Sequence, residues 1–183
     1  MAISFFTSRC SCILIGVGLL AAHTASAQPP GADPSRLDYR LQPRQVSQDV
    51  WVIEGAVDDF SPANGCNIIN TGFIRTADAL WVINTGPSYR YGQQQRQAIE
   101  KTAPASLPVR VLQLNLHPDY FFGNQAWADK PLMALAGSLR GMQAEGEAYA
   151  TNLYALCGDW MKDTVATPAN SQMALAGAAR APH

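Results

Sequence analysis

The chain has 183 residues, with 13 Lys and Arg against 14 Asp and Glu, and 48% of its residues are hydrophobic. This length allows one domain with a real core. The near-neutral charge, without any Lys/Arg cluster, argues against a nucleic-acid-binding protein. Three histidines are present, His23, His117 and His183, so imidazole ligands for a metal are scarce.

The first 27 residues have the pattern of a secretory signal peptide. Arg9 supplies a weakly positive start, an apolar run covers residues 13–22, and Ala25-Ser26-Ala27 matches the small-x-small cleavage pattern. That run is too short to cross a bilayer, and no later segment is long and apolar enough to do so. We therefore expect cleavage after Ala27 and a periplasmic or secreted protein without a membrane span. The alternatives are an uncleaved anchor and a buried apolar helix.

Two cysteines remain after that cleavage. Removing residues 1–27 from the 183-residue chain leaves 156, with 12 basic and 14 acidic residues, because Arg9 is the only charge lost. Cys10 and Cys12 leave with the segment, whereas Cys66 and Cys157 stay. A disulfide suits an oxidising compartment, but free cysteine also packs as a small hydrophobe. Both readings stay open, because the sequence does not give their separation in space.

The first half of the mature chain predicts strands. Residues 28–38 are rich in Pro, Gly and Asp, which indicates a flexible leader. Tyr39–Ser47 contains Pro43 and suits an edge strand or a broken one, so we group residues 28–47 as leader and edge strand. A β-rich run follows at Val50–Ile53, and then a loop at residues 58–65. Beyond the loop, the runs Cys66–Ile74 and Ala79–Ile83 predict two strands that can form a hairpin.

The second half alternates helix and strand. We predict an exposed helix at residues 91–102 and a strand at 109–114. A loop with a short helical turn follows at 117–128, then a further strand at 131–136 and a long helix at 137–163. The pattern indicates a mixed α/β fold with a largely antiparallel start. The main body spans residues 48–166, and residues 167–183 are a tail or a truncated end.

The candidate chemical site lies in residues 113–124, which read QLNLHPDYFFGN directly after a predicted strand. His117 and Asp119 are two residues apart, and side chains at i and i+2 share a face in an extended chain. Imidazole nitrogen and carboxylate oxygen both bind zinc, and loops at strand ends often carry functional residues. The alternative is an ordinary turn in which Asp119 caps the next helix.

Across residues 50–163 the chain resembles the metallo-β-lactamase superfamily, and more closely the exported zinc metallohydrolases of quinoprotein relay systems. The matching segments are CNIINTGFI, ALWVINTGPS, YGQQQRQAI, LNLHPDYFFGNQAWAD and GEAYATNLYALCGDWMKDT. The resemblance implies an α/β (α+β) fold, here the N-terminal half of an αββα sandwich. It also implies a zinc-dependent hydrolase acting on an unknown small-molecule substrate through metal-bound water. His117 and Asp119 are then metal ligands, and Asp119 is also the candidate catalytic base.

The chain departs from this family at three positions. On the signature His-x-His-x-Asp-His, Asn115 and Tyr120 stand where the first and last His are expected, and Asn84 replaces the Asp of an Asp-Thr-Gly turn. Zinc usually takes about four donors; a neutral amide is a poor donor and a phenol must first ionise. The family's further ligands come from a second half that this chain does not include. The resemblance therefore implies a truncated hydrolase-like protein with a degraded zinc site and little or no activity.

The resemblance carries two further expectations. The first half of a two-sheet sandwich leaves one sheet face uncovered, and such an apolar patch invites self-association. The alternative function is a non-catalytic periplasmic binding or accessory protein that serves a quinoprotein dehydrogenase.

Overall fold

The computed structural model describes residues 31–103 and 106–172. The predicted signal peptide, His23, His183 and residues 173–183 of the predicted tail lie outside the described residues. The described elements follow in the order β1 (Arg44–Ser47), β2 (Val50–Ile53), β3 (Thr71–Arg75), β4 (Leu80–Ile83), α1 (Tyr89–Thr102), β5 (Val109–Gln113), α2 (Pro118–Phe121), a 3₁₀ segment (Phe122–Trp127), β6 (Leu132–Ala134), α3 (Ala136–Cys157), a second 3₁₀ segment (Gly158–Met161) and β7 (Ser171–Gln172).

The strands form a single sheet in sequence order from β1 to β7. The pairs from β1 to β4 are antiparallel, whereas the pairs from β4 to β7 are parallel. Parallel neighbours need a crossover, and α1, the helical segment at residues 118–127 and α3 provide the three crossovers. The predicted mixed α/β fold with an antiparallel start is confirmed.

The two faces of the sheet differ in burial. On one face Phe73, Val82, Val111 and Leu132 are buried and belong to a core that includes Tyr91, Phe121, Met142 and Trp160 from the crossovers and the segment after α3. On the other face, neighbouring strands align a row of apolar side chains that stay half-buried: Val52, Ile83, Leu112 and Met133. The helical segments thus cover one face, and an apolar second face remains partly exposed within the described residues.

The strand predicted at Cys66–Ile74 is wrong in its first half, because β3 begins only at Thr71. Cys66 has a left-handed backbone with φ of 62°, and its amide donates to Asn64 Oδ1 at 3.0 Å. Cys66 is also bonded to Cys157, with the Cα atoms 5.9 Å apart. The turn and the disulfide hold this segment out of the sheet. Of the two alternatives for Cys66 and Cys157, the structure has the disulfide.

Helix α1 begins two residues before the predicted start, at Tyr89. Ser88 is its N-cap, and its hydroxyl accepts a hydrogen bond from the Tyr91 amide at 3.0 Å. The prediction of an exposed helix is wrong, because Tyr91, Gln95 and Ile99 are buried. The sequence did not indicate this burial because the buried residues include polar ones, whose polar groups are paired inside the protein. The Tyr91 hydroxyl, for example, lies 2.8 Å from Thr71 Oγ1.

The C-terminal elements are shorter than predicted. Helix α3 ends at Cys157, because Gly158 follows with φ of 58° and leads into a 3₁₀ segment. Two residues of the predicted tail, Ser171 and Gln172, instead form β7 at the end of the sheet. No described helix has the length and apolar character needed to span a membrane.

The segment predicted as a leader packs against the rest of the chain. Asp33 and Asp38 form an isolated antiparallel bridge, and Tyr39 is buried against Trp160, with ring centroids 4.3 Å apart. The Tyr39 hydroxyl donates to Gly65 O at 2.9 Å. These contacts place residues 31–42 beside the loop that joins β2 to β3.

Candidate metal loop

The candidate site lies where two parallel strands end. Strands β4 and β5 are paired in parallel, so the turn at residues 84–86 and the loop at residues 114–120, here called the metal loop, leave the same edge of the sheet. Carboxyl ends of parallel strands are where ligands usually bind in α/β folds. Thr85 and Gly86 donate their amides to Tyr120 O at 2.8 and 3.2 Å. The turn and the metal loop are therefore joined through the backbone.

Asn84 holds the turn between β4 and α1. Its φ is 55°, a left-handed conformation that Asn tolerates better than most residues. Its side-chain Oδ1 accepts from the Leu114 amide at 3.0 Å, and its carbonyl accepts from Gln95 Nε2 at 3.0 Å. The amide oxygen thus fixes the start of the metal loop, a task for which no negative charge is needed.

Gly123 allows the next segment to approach this turn. Its amide donates to Gly86 O at 3.0 Å, and a Cβ placed on Gly123 would lie 1.9 Å from Thr85 O. Only glycine fits at this distance, so the backbone after α2 is pressed directly onto the turn.

Asn115, which the sequence resemblance aligns with the first His of the signature, has its side chain turned back onto its own loop. Its Oδ1 accepts from the Leu116 amide at 2.7 Å and from the His117 amide at 3.3 Å. This is the local pairing that favours Asn in turns. The oxygen that would have to face a metal is already engaged by the backbone.

His117 and Asp119 occupy opposite environments. His117 is exposed, is the N-cap residue of α2 and makes no side-chain capping bond. Asp119 is buried within the first turn of α2, so the alternative in which it caps the next helix is wrong. Burial raises the pKa of the Asp119 carboxyl; the hydrogen bond from its own amide and the nearby His117 offset part of that increase.

The donors of this loop do not fit a zinc centre. Over residues 31–103 and 106–172, no group of at least three His, Cys, Asp or Glu side chains lies close enough to hold a metal ion. His117 and Asp119 supply one nitrogen and one carboxylate, whereas zinc usually takes about four donors. Asn115 adds a neutral amide whose oxygen is occupied. The assignment of His117 and Asp119 as ligands stays a prediction from the sequence.

Behind the metal loop lies a buried polar cluster that the sequence analysis missed. Its members are Thr85, Gln113 and Asn124, all at most 1% exposed. Thr85 Oγ1 and Gln113 Nε2 both donate to Asn124 Oδ1, the former at 2.9 Å, and Asn124 Nδ2 donates to Thr167 O at 2.9 Å. Gln113 at an inward-facing position of β5 was the available signal, since a polar residue there needs a buried partner.

No family model matches the sequence, and no curated protein matches it either. Solved structures do match. TMB-1 is 12% identical over 73% of this chain and 52% of its own, with a TM-score of 0.49. The DIM-1 metallo-β-lactamase is 13% identical over 73% of this chain and 51% of its own, with a TM-score of 0.47. MEM-A1, a subclass B3 metallo-β-lactamase from a soil metagenome library, is 14% identical over 74% of this chain and 46% of its own, with a TM-score of 0.47. The chain spans about half the length of these structures.

Proposed function

We propose that this chain is a metallo-β-lactamase-like protein descended from zinc hydrolases, with little or no hydrolytic activity of its own. The observation that carries the proposal is the side chain of Asn115. At a signature position where an imidazole is expected, an amide oxygen accepts from the backbone N–H groups of Leu116 and His117.

The replacements at the metal loop preserve its shape while removing metal donors. Asn84 and Asn115 both bind backbone amides of the loop, so the turn keeps its internal hydrogen bonds. A neutral amide brings neither the negative charge nor the strong donor nitrogen that zinc selects. What remains is a folded loop with His117 exposed at its tip and Asp119 buried in α2.

The test uses the mature chain, incubated with excess zinc and then dialysed. We expect clearly less than one zinc per chain by elemental analysis, and no difference between the wild type and His117→Ala. Stoichiometric zinc that is lost in His117→Ala, together with hydrolysis of a chromogenic β-lactam, would overturn the proposal. A Gln143→Ala variant, which changes an exposed side chain of α3, serves as a control for nonspecific effects of a side-chain truncation.

We also propose export to the periplasm or the medium. The cleavage pattern at Ala27 motivates this, and the Cys66–Cys157 disulfide supports it, because such bonds persist in oxidising compartments. N-terminal sequencing of the protein recovered from the periplasmic fraction is expected to begin at Gln28. Recovery of the chain only from the cytoplasm, with its first residues intact, contradicts export.

Self-association through the half-covered sheet face is a separate proposal. The row containing Val52, Ile83, Leu112 and Met133 is apolar and half-buried, and Ile74 beside it is exposed. Burial of such a row in a second copy removes apolar area from water. Sedimentation is expected to show a dimer or larger species that Leu112→Lys dissociates; a monomer at high protein concentration refutes the idea.

The second candidate function is a non-catalytic exported binding protein that serves a quinoprotein dehydrogenase. A cleft of about 690 Å³ that none of the metal-loop residues lines supports a binding role; the quinoprotein partner rests on the sequence resemblance alone. Sedimentation of the mature chain with a purified quinoprotein dehydrogenase is expected to show a complex, and independent sedimentation of the two proteins contradicts this role.

A further inference from the structure

The cleft lies between two segments that contacts of Tyr39, such as its hydrogen bond to Gly65 O, bring together. Residues 31–42 form one wall, and the loop between β2 and β3 forms the other; its volume is about 690 Å³. Binding sites for small molecules commonly have volumes of roughly 300–1,000 Å³. The cleft is therefore large enough for a small organic molecule, and it is independent of His117 and Asp119.

One side chain of this wall has an unmet hydrogen-bonding need. Asn67 lines the cleft and is only 7% exposed. Its backbone is fixed, since its amide donates to Asn64 O at 3.1 Å and its carbonyl accepts from the Ala56 amide at 2.8 Å. Its side-chain Oδ1, however, is buried with no hydrogen-bond partner among the described residues. Buried polar atoms are nearly always paired. Ser61 Oγ, Arg90 Nε and Gln113 Oε1 are buried without a partner as well, but of these four residues it is Asn67 that lines the cleft, so a ligand there can approach its side-chain amide.

The wall that carries Asn67 is held rigidly. The neighbouring Asn64 accepts from the Ser61 and Cys66 amides through Oδ1 and donates to Asp59 O through Nδ2, at 3.2, 3.0 and 2.8 Å. The disulfide then ties Cys66 to the end of α3. A site whose groups are fixed in advance loses less conformational freedom on binding.

The charges around the cleft are largely neutralised within the protein. Arg40 is paired with Asp33 at 2.6 Å, and Glu54 is paired with Arg44. Asp58 lines the cleft without an ion pair in the described part of the chain. The remaining charge is therefore a single exposed carboxylate, which disfavours an anionic ligand and adds a hydrogen-bond acceptor.

From these observations we propose that the cleft binds an uncharged, polyhydroxylated small molecule of the saccharide class, with one ligand hydroxyl hydrogen-bonded to the side-chain amide of Asn67. Hydroxyl groups both donate and accept. They therefore match a wall made of amide and carboxylate oxygens and of backbone groups. A neutral ligand also needs no counter-ion from walls whose arginine and glutamate are already paired.

The experiment is a titration of the mature protein with glucose and with maltose, followed by ligand-observed NMR and calorimetry. The key variant is Asn67→Leu, which replaces the amide by an apolar group of similar size. Because Oδ1 has no internal partner, we expect the melting temperature to stay or rise while sugar affinity falls by about tenfold or more, the effect of about one hydrogen bond. His117→Ala is the matched control and is expected to bind sugar as the wild type does.

A second variant tests the cleft without touching a buried group. Val57 lines the cleft and is fully exposed, so Val57→Trp obstructs it and leaves the core intact; sugar binding is again expected to fall. Absence of glucose and maltose binding to the wild type at millimolar concentration overturns the proposal. So does loss of binding in His117→Ala with retention in Asn67→Leu. Stronger binding of glucuronate or glucosamine than of glucose overturns the uncharged class.

Discussion

Asn115 of the metal loop and Asn67 of the cleft wall differ in the hydrogen bonding of their side chains, although the other two asparagines of the cleft wall, Asn64 and Asn70, are bonded internally. In the metal loop, Asn115 accepts hydrogen bonds from neighbouring groups, and so do Asn84 in the adjacent turn and Asn124 behind the loop. At the cleft, Asn67 keeps a buried oxygen without any such partner. A polar side chain whose bonds are all internal holds the fold, whereas the Asn67 amide lines the cleft and can gain a partner from a ligand bound there. The family resemblance points to the first region, where Gln113 Oε1 behind the loop is also buried without a partner, whereas in the second region the residue with the unpaired oxygen lines a cleft.

The disulfide gives the largest expected effect and distinguishes the two regions. Replacing both Cys66 and Cys157 with Ala should lower the free energy of unfolding by about 2–5 kcal/mol, because the link spans 91 residues. The cleft wall is expected to loosen while the hydrogen bonds of the metal loop persist. Chemical denaturation and amide hydrogen exchange measure the two parts. A loss below about 1 kcal/mol, or equal loss of protection at both loops, contradicts this.

Asn124→Ala is the next largest change and tests the claim that the metal loop is held from behind. It leaves Thr85 Oγ1 and Gln113 Nε2 without their shared acceptor and removes a bond to Thr167 O. We expect a loss of about 2–3 kcal/mol in the free energy of unfolding, against no loss for Asn67→Leu. Denaturant unfolding of the two variants side by side makes the comparison. Equal losses in both would remove the distinction between paired and unpaired asparagines.

Asn115→Ala is expected to have a smaller effect. It removes the side-chain oxygen that accepts from the Leu116 and His117 amides, at a cost of about 1 kcal/mol. Asn115→Asp keeps an acceptor at the same place and should restore most of the stability. If Asn115→Ala is as stable as the wild type in thermal unfolding, the turn does not depend on this side chain.

The smallest expected effect is a pH dependence at Asp119. Because burial raises the pKa of this carboxyl above its ordinary value of 3.8, the folded state holds the proton more tightly than the unfolded state. Its favourable contribution is present below pH 3.8 and is lost as the pH rises through the folded-state pKa. Asp119→Asn should therefore be more stable than the wild type near neutral pH, with the difference shrinking in acid. A difference that grows in acid has the wrong sign.

The sequence was a good guide wherever apolar residues set the period. Val50–Ile53 and the hairpin of β3 and β4 follow from β-rich runs with short connections, and the loop with His117 and Asp119 falls after a strand as predicted. It failed where tertiary contacts decided. Cys66 looked like part of a strand, but its disulfide partner is 91 positions away. Local patterns carry no information about such a distant pairing.

The burial of polar residues was poorly predicted for a different reason. Gln95 is a residue type that favours a solvent-exposed helix. In the structure it lies in the interior, where its Nε2 donates to Asn84 O and its Oε1 accepts from Trp127 Nε1. Gln113 and Asn67 are likewise polar residues that lie buried. A polar residue in sequence is usually on the surface, and only the structure shows whether its partners are water, protein or nothing.

We propose that internal hydrogen bonds hold the metal loop and that its side chains do not supply the donors of a zinc site. Calorimetric titration of zinc into the mature wild type and into the Asn115→His/Tyr120→His double variant tests it most directly. The account predicts no stoichiometric binding to the wild type and a measurable gain in the double variant, abolished by adding His117→Ala. Stoichiometric, His117-dependent zinc binding by the wild type would contradict it.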